Sequence, residues 1–162
     1  MKHIMGPNSR SELSKVQEGD VQPNAVDVRV GQIFKIGSND FIIDEEKKVH
    51  RDTKELFPNE DGYWVLEPGA YKAVMTNIIK VAVGEAGWVV VRSTLNRNGV
   101  FLTSGLYDSG YHGVLAACLH VTSGVMKMAK GTRLGQYVSY ESEALHSYDG
   151  DYGLGKEYDK KY

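Results

Sequence analysis

Tyr63-Trp64-Val65-Leu66-Glu67-Pro68-Gly69-Ala70-Tyr71-Lys72-Ala73-Val74-Met75-Thr76 holds two short apolar runs parted by a Pro-Gly turn. Each run is too short for a globular helix and rich in aromatic or β-branched residues, so it reads as strand-turn-strand. The pattern continues on both sides. Upstream, Val26, Val28 and Val30 alternate with Asp27, Arg29 and Gly31, the period of a half-buried strand. Downstream, Trp88–Ser93, Val100–Thr103 after an Asn98-Gly99 turn, Val114–His120 and Arg133–Ser139 are further strands. Phe41–Asp44 is a shorter candidate. Many short strands joined by Gly and Pro turns predict an all-β sandwich or barrel, not alternating βα units.

Three regions stand outside this pattern. Met1–Asp20 is polar and carries one helical candidate around Ser9–Val16, with Ser9 or Ser11 as its cap. Glu45–Asp61 is charged, contains Pro58 and ends in Asp61-Gly62, so it reads as a loop excursion. From Ser147 the chain turns rich in Gly, Tyr and charge and poor in aliphatics, the composition of a flexible tail. A domain over residues 1–146 followed by a tail over 147–162 is the expected organisation.

Composition removes several functions. The 162 residues suffice for one domain with a real core, and 41% hydrophobic with 25% charged content is ordinary for a globular protein. A net charge of −2 supplies no basic field for nucleic acid. No run of about 18 apolar residues is present to span a membrane, and no signal-peptide core follows the start. The lone Cys118 sits in the apolar run Val114–Val121, where a buried structural thiol and a cytoplasmic location are expected. The five histidines show no metal-binding spacing and there is no Cys-x-x-Cys pair, which argues against structural zinc and against a zinc-dependent deaminase. Walker and GxSxG motifs are also missing.

The chemical candidates each carry a plain structural alternative. Gly105-Leu106-Tyr107-Asp108-Ser109-Gly110-Tyr111-His112-Gly113 sets a carboxylate and an aromatic in a frame of three glycines between apolar strands. A buried carboxylate needs a partner or a task. Asp108 is therefore either a general base at a pocket floor or part of a tight Asx-type hairpin turn. Arg92-Ser93-Thr94 with Arg97 offers converging donors suited to a polyphosphate, or marks a strand leaving into a polar loop. Asp27 faces either a metal or solvent. Gln136, in Gly131–Gln136, either donates to a phosphate oxygen or simply opens the next strand. Tyr148 and Tyr152 could stack on a flat base or belong to a disordered terminus.

Taken in order, these segments resemble the trimeric dUTPase and dCTP deaminase superfamily. Val21–Gly31 is similar to the first motif as deaminases carry it, and Leu66–Gly69 with Thr76 to the strand-turn-strand that follows. Arg92–Arg97 is similar to the second motif, with Val91 in place of its usual glycine. Gly105–Gly113 is similar to the third, Gly131–Gln136 to the fourth, and Tyr148–Tyr152 loosely to the closing tail. The resemblance spans residues 21–152 and implies a distorted jelly-roll β-barrel, a homotrimer with sites at subunit interfaces, and a deoxynucleoside triphosphate substrate.

Within that resemblance, Asp108 matches the carboxylate that activates water against the α-phosphate of dUTP, releasing dUMP and pyrophosphate. Tyr111 matches the aromatic against the sugar. Arg92, Ser93, Thr94, Arg97 and Gln136 match substrate contacts, Tyr152 the tail aromatic, and Asp27 a carboxylate that reaches Mg²⁺ through water. Deaminases of the superfamily need a glutamate on the strand after the third motif, and the matching place falls at or next to Cys118. No carboxylate occurs from Tyr111 to Tyr140, and a thiol cannot shuttle protons as a carboxylate does. Two departures bear on the base and on tail closure. Leu102 stands near the place of the asparagine that helps read uracil, and Asp151 replaces the deaminase-type tail lysine. The expected activity is dUTP hydrolysis with Mg²⁺. The alternatives are a dCTP deaminase with an atypical strand, mono- or bifunctional, and a nucleotide-binding regulatory protein on the same scaffold.

Overall fold

A computed structural model describes residues 9–157. It contains twelve strands and one short helix: β1 (Glu12–Leu13), β2 (Val26–Ile36), β3 (Ile42–Ile43), β4 (Lys48–Val49), β5 (Thr53–Leu56), β6 (Tyr63–Leu66), β7 (Gly69–Lys80), β8 (Glu85–Val91), α1 (Ser93–Asn96), β9 (Val100–Thr103), β10 (His112–Val121), β11 (Met126–Ala129) and β12 (Arg133–Glu141). Six of these strands close into a ring in the order β7-β10-β9-β8-β12-β2, sealed by the pairing of β2 with β7. The expected all-β barrel is what the chain forms. β1 adds to β7 and the charged β5 adds to β2, while β6–β11 and β3–β4 are separate two-stranded ribbons.

Closure follows from the period-2 pattern. In β10, Leu115, Ala117, Leu119 and Val121 are buried, and they alternate with the more accessible Val114, Ala116, Cys118 and His120. The inward set meets Val28, Val30, Ile33, Ala73, Ile79, Val89, Leu134 and Tyr137 in one core. Burying a leucine such as Leu119 fully contributes roughly 1.5–3 kcal/mol. β2 pairs with three strands, and its register against β7 shifts between Val30 and Gln32. Its first half pairs with β12 and its second half with β5. Gly31 sits at this bulge, where a Cβ would stand 3.0 Å from Thr76 Cγ2.

Two sequence expectations are corrected. The segment expected as a helix over Ser9–Val16 contains β1 instead, with Glu12 and Leu13 paired to Lys80 and Ile79. Its serines do not cap a helix. Ser9 Oγ and Ser11 Oγ donate to Glu85, 2.7 and 2.6 Å away. A long-range acceptor, invisible in the local pattern, captures the groups that suggested a cap. The excursion over Glu45–Asp61 contains β4 and β5, and β5 pairs with Ile33–Ile36. Its charged residues hid a strand because they lie on an exposed sheet edge, where charge is tolerated and discourages edge pairing. β11 gave no sequence signal either, since Met126-Lys127-Met128-Ala129 lacks β-branched residues.

The segment from Ser147 to residue 157 lies against the barrel. Tyr148 N donates to Ser109 O at 2.7 Å and Leu154 N to His112 O at 2.8 Å. Tyr148 and Tyr152 pack against the core cluster.

Candidate functional site

The first-motif strand, the second-motif turn and the fourth-motif strand meet at one end of the barrel. Register sets Gln136 of β12 opposite Asp27 of β2, and also opposite Val90 of β8. β8 ends at Val91, and Arg92 then enters α1 in extended geometry with its side chain turned back toward Asp27. Arg92 Nε lies 3.5 Å from Asp27 Oδ1, and Arg133 Nη1 lies 3.2 Å from Asp27 Oδ2. Asp27 is fully buried, which excludes the solvent-facing alternative. The turn before β2 folds over it: Asp27 N donates to Asp20 O, and Gln22 Nε2 donates to Gly19 O and to Asp27 Oδ2. A buried carboxylate requires compensation, and two guanidiniums supply it here.

A second ion pair braces the first. Arg29 Nε and Nη2 donate to Asp20 at 3.1 and 2.6 Å, and Arg29 Nη1 donates to Gly131 O. Asp20 is fully buried. Burial raises its pKa, but the hydrogen bonds from Arg29 and Gln17 N and the nearby positive charges outweigh that and hold it below the usual value. Asp20, Arg29 and Arg133 were not legible as members of this cluster: Asp20 and Arg29 are nine residues apart, but the contacts that tie the pair to Gly131 and Arg133 to Gly19 join segments more than 100 residues apart. The outcome is a rigid cationic corner. Ser93 and Thr94 of α1 and Arg97 just after it are exposed beside it, Gln136 is half-buried, and buried Leu95 anchors the helix beneath.

Asp108 and Tyr111 occupy a different place. Tyr107 and Gly87 exchange backbone hydrogen bonds, Gly110 N donates to Val81 O and Tyr111 N donates to Asp108 O. This turn sits beside the start of β8, whereas Arg92 follows its end. From Ala86 to Arg92 is about six residues, or roughly 20 Å of strand. Asp108 is exposed, not buried as its apolar flanks suggested. Its neighbours Tyr107 and Ser109 turn inward and leave the carboxylate outside. It lines a cleft of about 440 Å³ with Ala86, Leu106, Glu143, His146 and Tyr148.

Tyr111 is buried, donates its hydroxyl to Val114 O at 3.1 Å, and meets the Tyr148 ring edge-on at 5.4 Å between centroids. Tyr152 lines a separate cleft of about 1000 Å³ with Phe34, Phe41, Lys72 and Cys118. Cys118 is half-buried and turned outward, not sealed in the core as expected, and burial pushes its thiol up. The outward residues of β10 are His112, Val114, Ala116, Cys118 and His120, so this strand presents no carboxylate.

Known proteins share this plan. A family profile described as dCTP deaminase-like matches residues 4–142. The deoxyuridine 5'-triphosphate nucleotidohydrolase of Methanocaldococcus jannaschii is 31% identical over 92% of this chain and 97% of its own. The 2'-deoxycytidine 5'-triphosphate deaminase of Agrobacterium tumefaciens superposes with a TM-score of 0.63 at 18% identity. That match covers 80% of this chain, which spans 44% of the deaminase's length. A mutant dUTPase from phage phi11 of S. aureus, described with a structural Mg(II) ion, superposes with a TM-score of 0.52 at 12% identity, covering 90% of this chain and 99% of its own. The barrel, the ordered segments and the extent of these matches lead to one conclusion: the chain belongs to the dCTP deaminase-like family.

Proposed function

We propose that this protein hydrolyses dUTP to dUMP and pyrophosphate. The observation that carries the choice of reaction is the outward face of β10, which presents no carboxylate at or next to Cys118, where the resemblance puts a deaminase's proton-shuttling glutamate. Asp108, exposed on a turn held by its neighbours' hydrogen bonds, is then the carboxylate suited to accept a proton from an attacking water. The water oxygen bonds to the α-phosphorus, the bond to the bridging oxygen breaks, and pyrophosphate leaves with the electron pair. Arg92, Ser93, Thr94, Arg97 and Gln136 hold the phosphates, and Asp27 keeps Arg92 aimed. Tyr111 packs against the deoxyribose and Tyr152 serves the tail's closure over the nucleotide.

The separation of roughly 20 Å along β8 means that one chain does not bring Asp108 to its own Arg92. A working site therefore takes Asp108 from one copy and the phosphate donors from another, in keeping with a homotrimer. Mg²⁺ fits this arrangement as a companion of the triphosphate. Asp27 Oδ1 is buried and makes no hydrogen bond, although Arg92 Nε stands 3.5 Å from it; this acceptor would take a metal-bound water, with the remaining ligands being phosphate oxygens and waters. Bound there, the ion would neutralise phosphate charge.

The test is Asp108→Asn, measured for turnover and for nucleotide binding in parallel. Hydrolysis should be lost while binding stays within a few-fold. Retained hydrolysis would remove Asp108 from the mechanism.

A further inference from the structure

The turn that presents Asp108 is tied to the opposite end of the sequence. Ser109, next to the carboxylate, is buried, and its hydroxyl donates to Glu85 O at 2.6 Å and accepts from Gly84 N at 3.3 Å. Glu85 is itself buried, and its carboxylate collects four donors from the N-terminal segment. Ser9 Oγ and Arg10 N donate at 2.7 Å each, Ser11 Oγ at 2.6 Å and Ser11 N at 3.2 Å. Ser11 Oγ also accepts from Ala82 N at 3.0 Å, so the segment grips both ends of the turn that opens β8. Burial raises the Glu85 pKa, but the bonds from Ser11, Arg10 and Ser9 outweigh it and hold the group below its usual value.

No substrate role falls to any of these groups, yet they share one output, the position of the 107–111 turn. We propose that Ser109 and Glu85 are positioning residues for Asp108, with residues 9–13 acting as a clamp that fixes the backbone from which the base projects. The inference rests on Asp108 being the base. An exposed carboxylate on a turn gains reactive alignment only if the turn is held, and a displacement of about 1 Å lowers turnover by roughly 100-fold. Ser109 does this from the buried side, which leaves the Asp108 side chain itself accessible to water.

The experiment compares Ser109→Ala, Ser109→Thr and Ser11→Ala with the unsubstituted protein, reading kcat, KM, the pH profile of kcat and thermal stability. Ser109→Ala should lower kcat by about 10- to 100-fold with KM within twofold, an unchanged acid limb in the pH profile and a retained melting transition. Ser109→Thr, which keeps the hydroxyl, should recover most of that loss. Ser11→Ala should lower kcat in the same direction by a smaller factor, and it decides the matter if Ser109→Ala does not fold. The inference is overturned by kcat within twofold of the parent in the folded variants, or by a fall in kcat that only tracks loss of fold. An inactive Asp108→Asn beside a normal Ser109→Ala sinks the positioning role alone. An active Asp108→Asn sinks the base assignment beneath it.

Discussion

Replacing Asp27 with Asn keeps the shape of the side chain and removes the charge between two guanidiniums at 3.2 and 3.5 Å. At an effective dielectric near 20, each contact is worth up to about 5 kcal/mol of Coulomb attraction before any cost. Desolvating a fully buried carboxylate cancels much of this. Both arginines are about a third exposed, so water screens their side of the pair. A net loss of roughly 2–3 kcal/mol remains, below the range of about 3–5 for breaking a fully buried pair. For a domain of this size it lowers the melting temperature by roughly 4–12 °C. Arg92 also loses its anchor, so kcat/KM for dUTP should fall by at least about tenfold, on the order of 1.4 kcal/mol. Urea unfolding at pH 7 and steady-state hydrolysis measure the two effects. Stability within about 0.5 kcal/mol of the parent, the span of an ordinary surface change, together with unchanged kcat/KM, would refute the reasoning that Asp27 organises the corner.

Acid should unfold the protein through Asp20 and Glu85. Both carboxylates have folded pKa values held below their usual 3.8 and 4.5. Their stabilisation is therefore complete above those values and is lost as pH falls through the lower folded ones. Unfolding free energy should be level near neutrality and drop below about pH 4, and Asp20→Asn should flatten part of that drop; an identical profile in the variant would count against it. Gly87→Ala should be severely destabilising, because a Cβ there would run into the Tyr137 hydroxyl and stand 2.5 Å from Val138 O, and a sheet carbonyl has nowhere to move. A loss of about 1–3 kcal/mol or more is expected by thermal unfolding, and an unchanged transition would show that the barrel wall yields there.

Much of the barrel was legible because its inward residues obey a strict alternation, as in Val26, Val28 and Val30 or along β10. The misreadings have specific causes. Ser9 and Ser11 look like caps locally, but their acceptor is Glu85, more than 70 residues away. Lys48–Val49 and Thr53–Leu56 are edge elements, in which the hydrophobic period is weak by design of the edge itself. The motif residues were legible as a set through their order, yet their geometry was not. Asp27 alternates like a solvent-facing residue, and the fold of Gly19–Gln22 over it, with Arg92 and Arg133 beside it, leaves it buried. Asp108 sits between apolar strands like a buried group, and only the inward turn of Tyr107 and Ser109 makes it exposed. Spacing along the chain says which residues can meet, while burial is decided by what the rest of the chain lays on top of them.

Hydrolysis at phosphorus is the chemistry this barrel is assigned, since β10 presents no carboxylate for deamination. It is tested most directly by incubating the protein with dUTP and with dCTP in the presence of Mg²⁺, and following pyrophosphate and ammonia separately. Pyrophosphate from dUTP and no ammonia from dCTP are expected. Ammonia from dCTP would contradict it, since Cys118 or His120 would then be serving where a glutamate was thought indispensable.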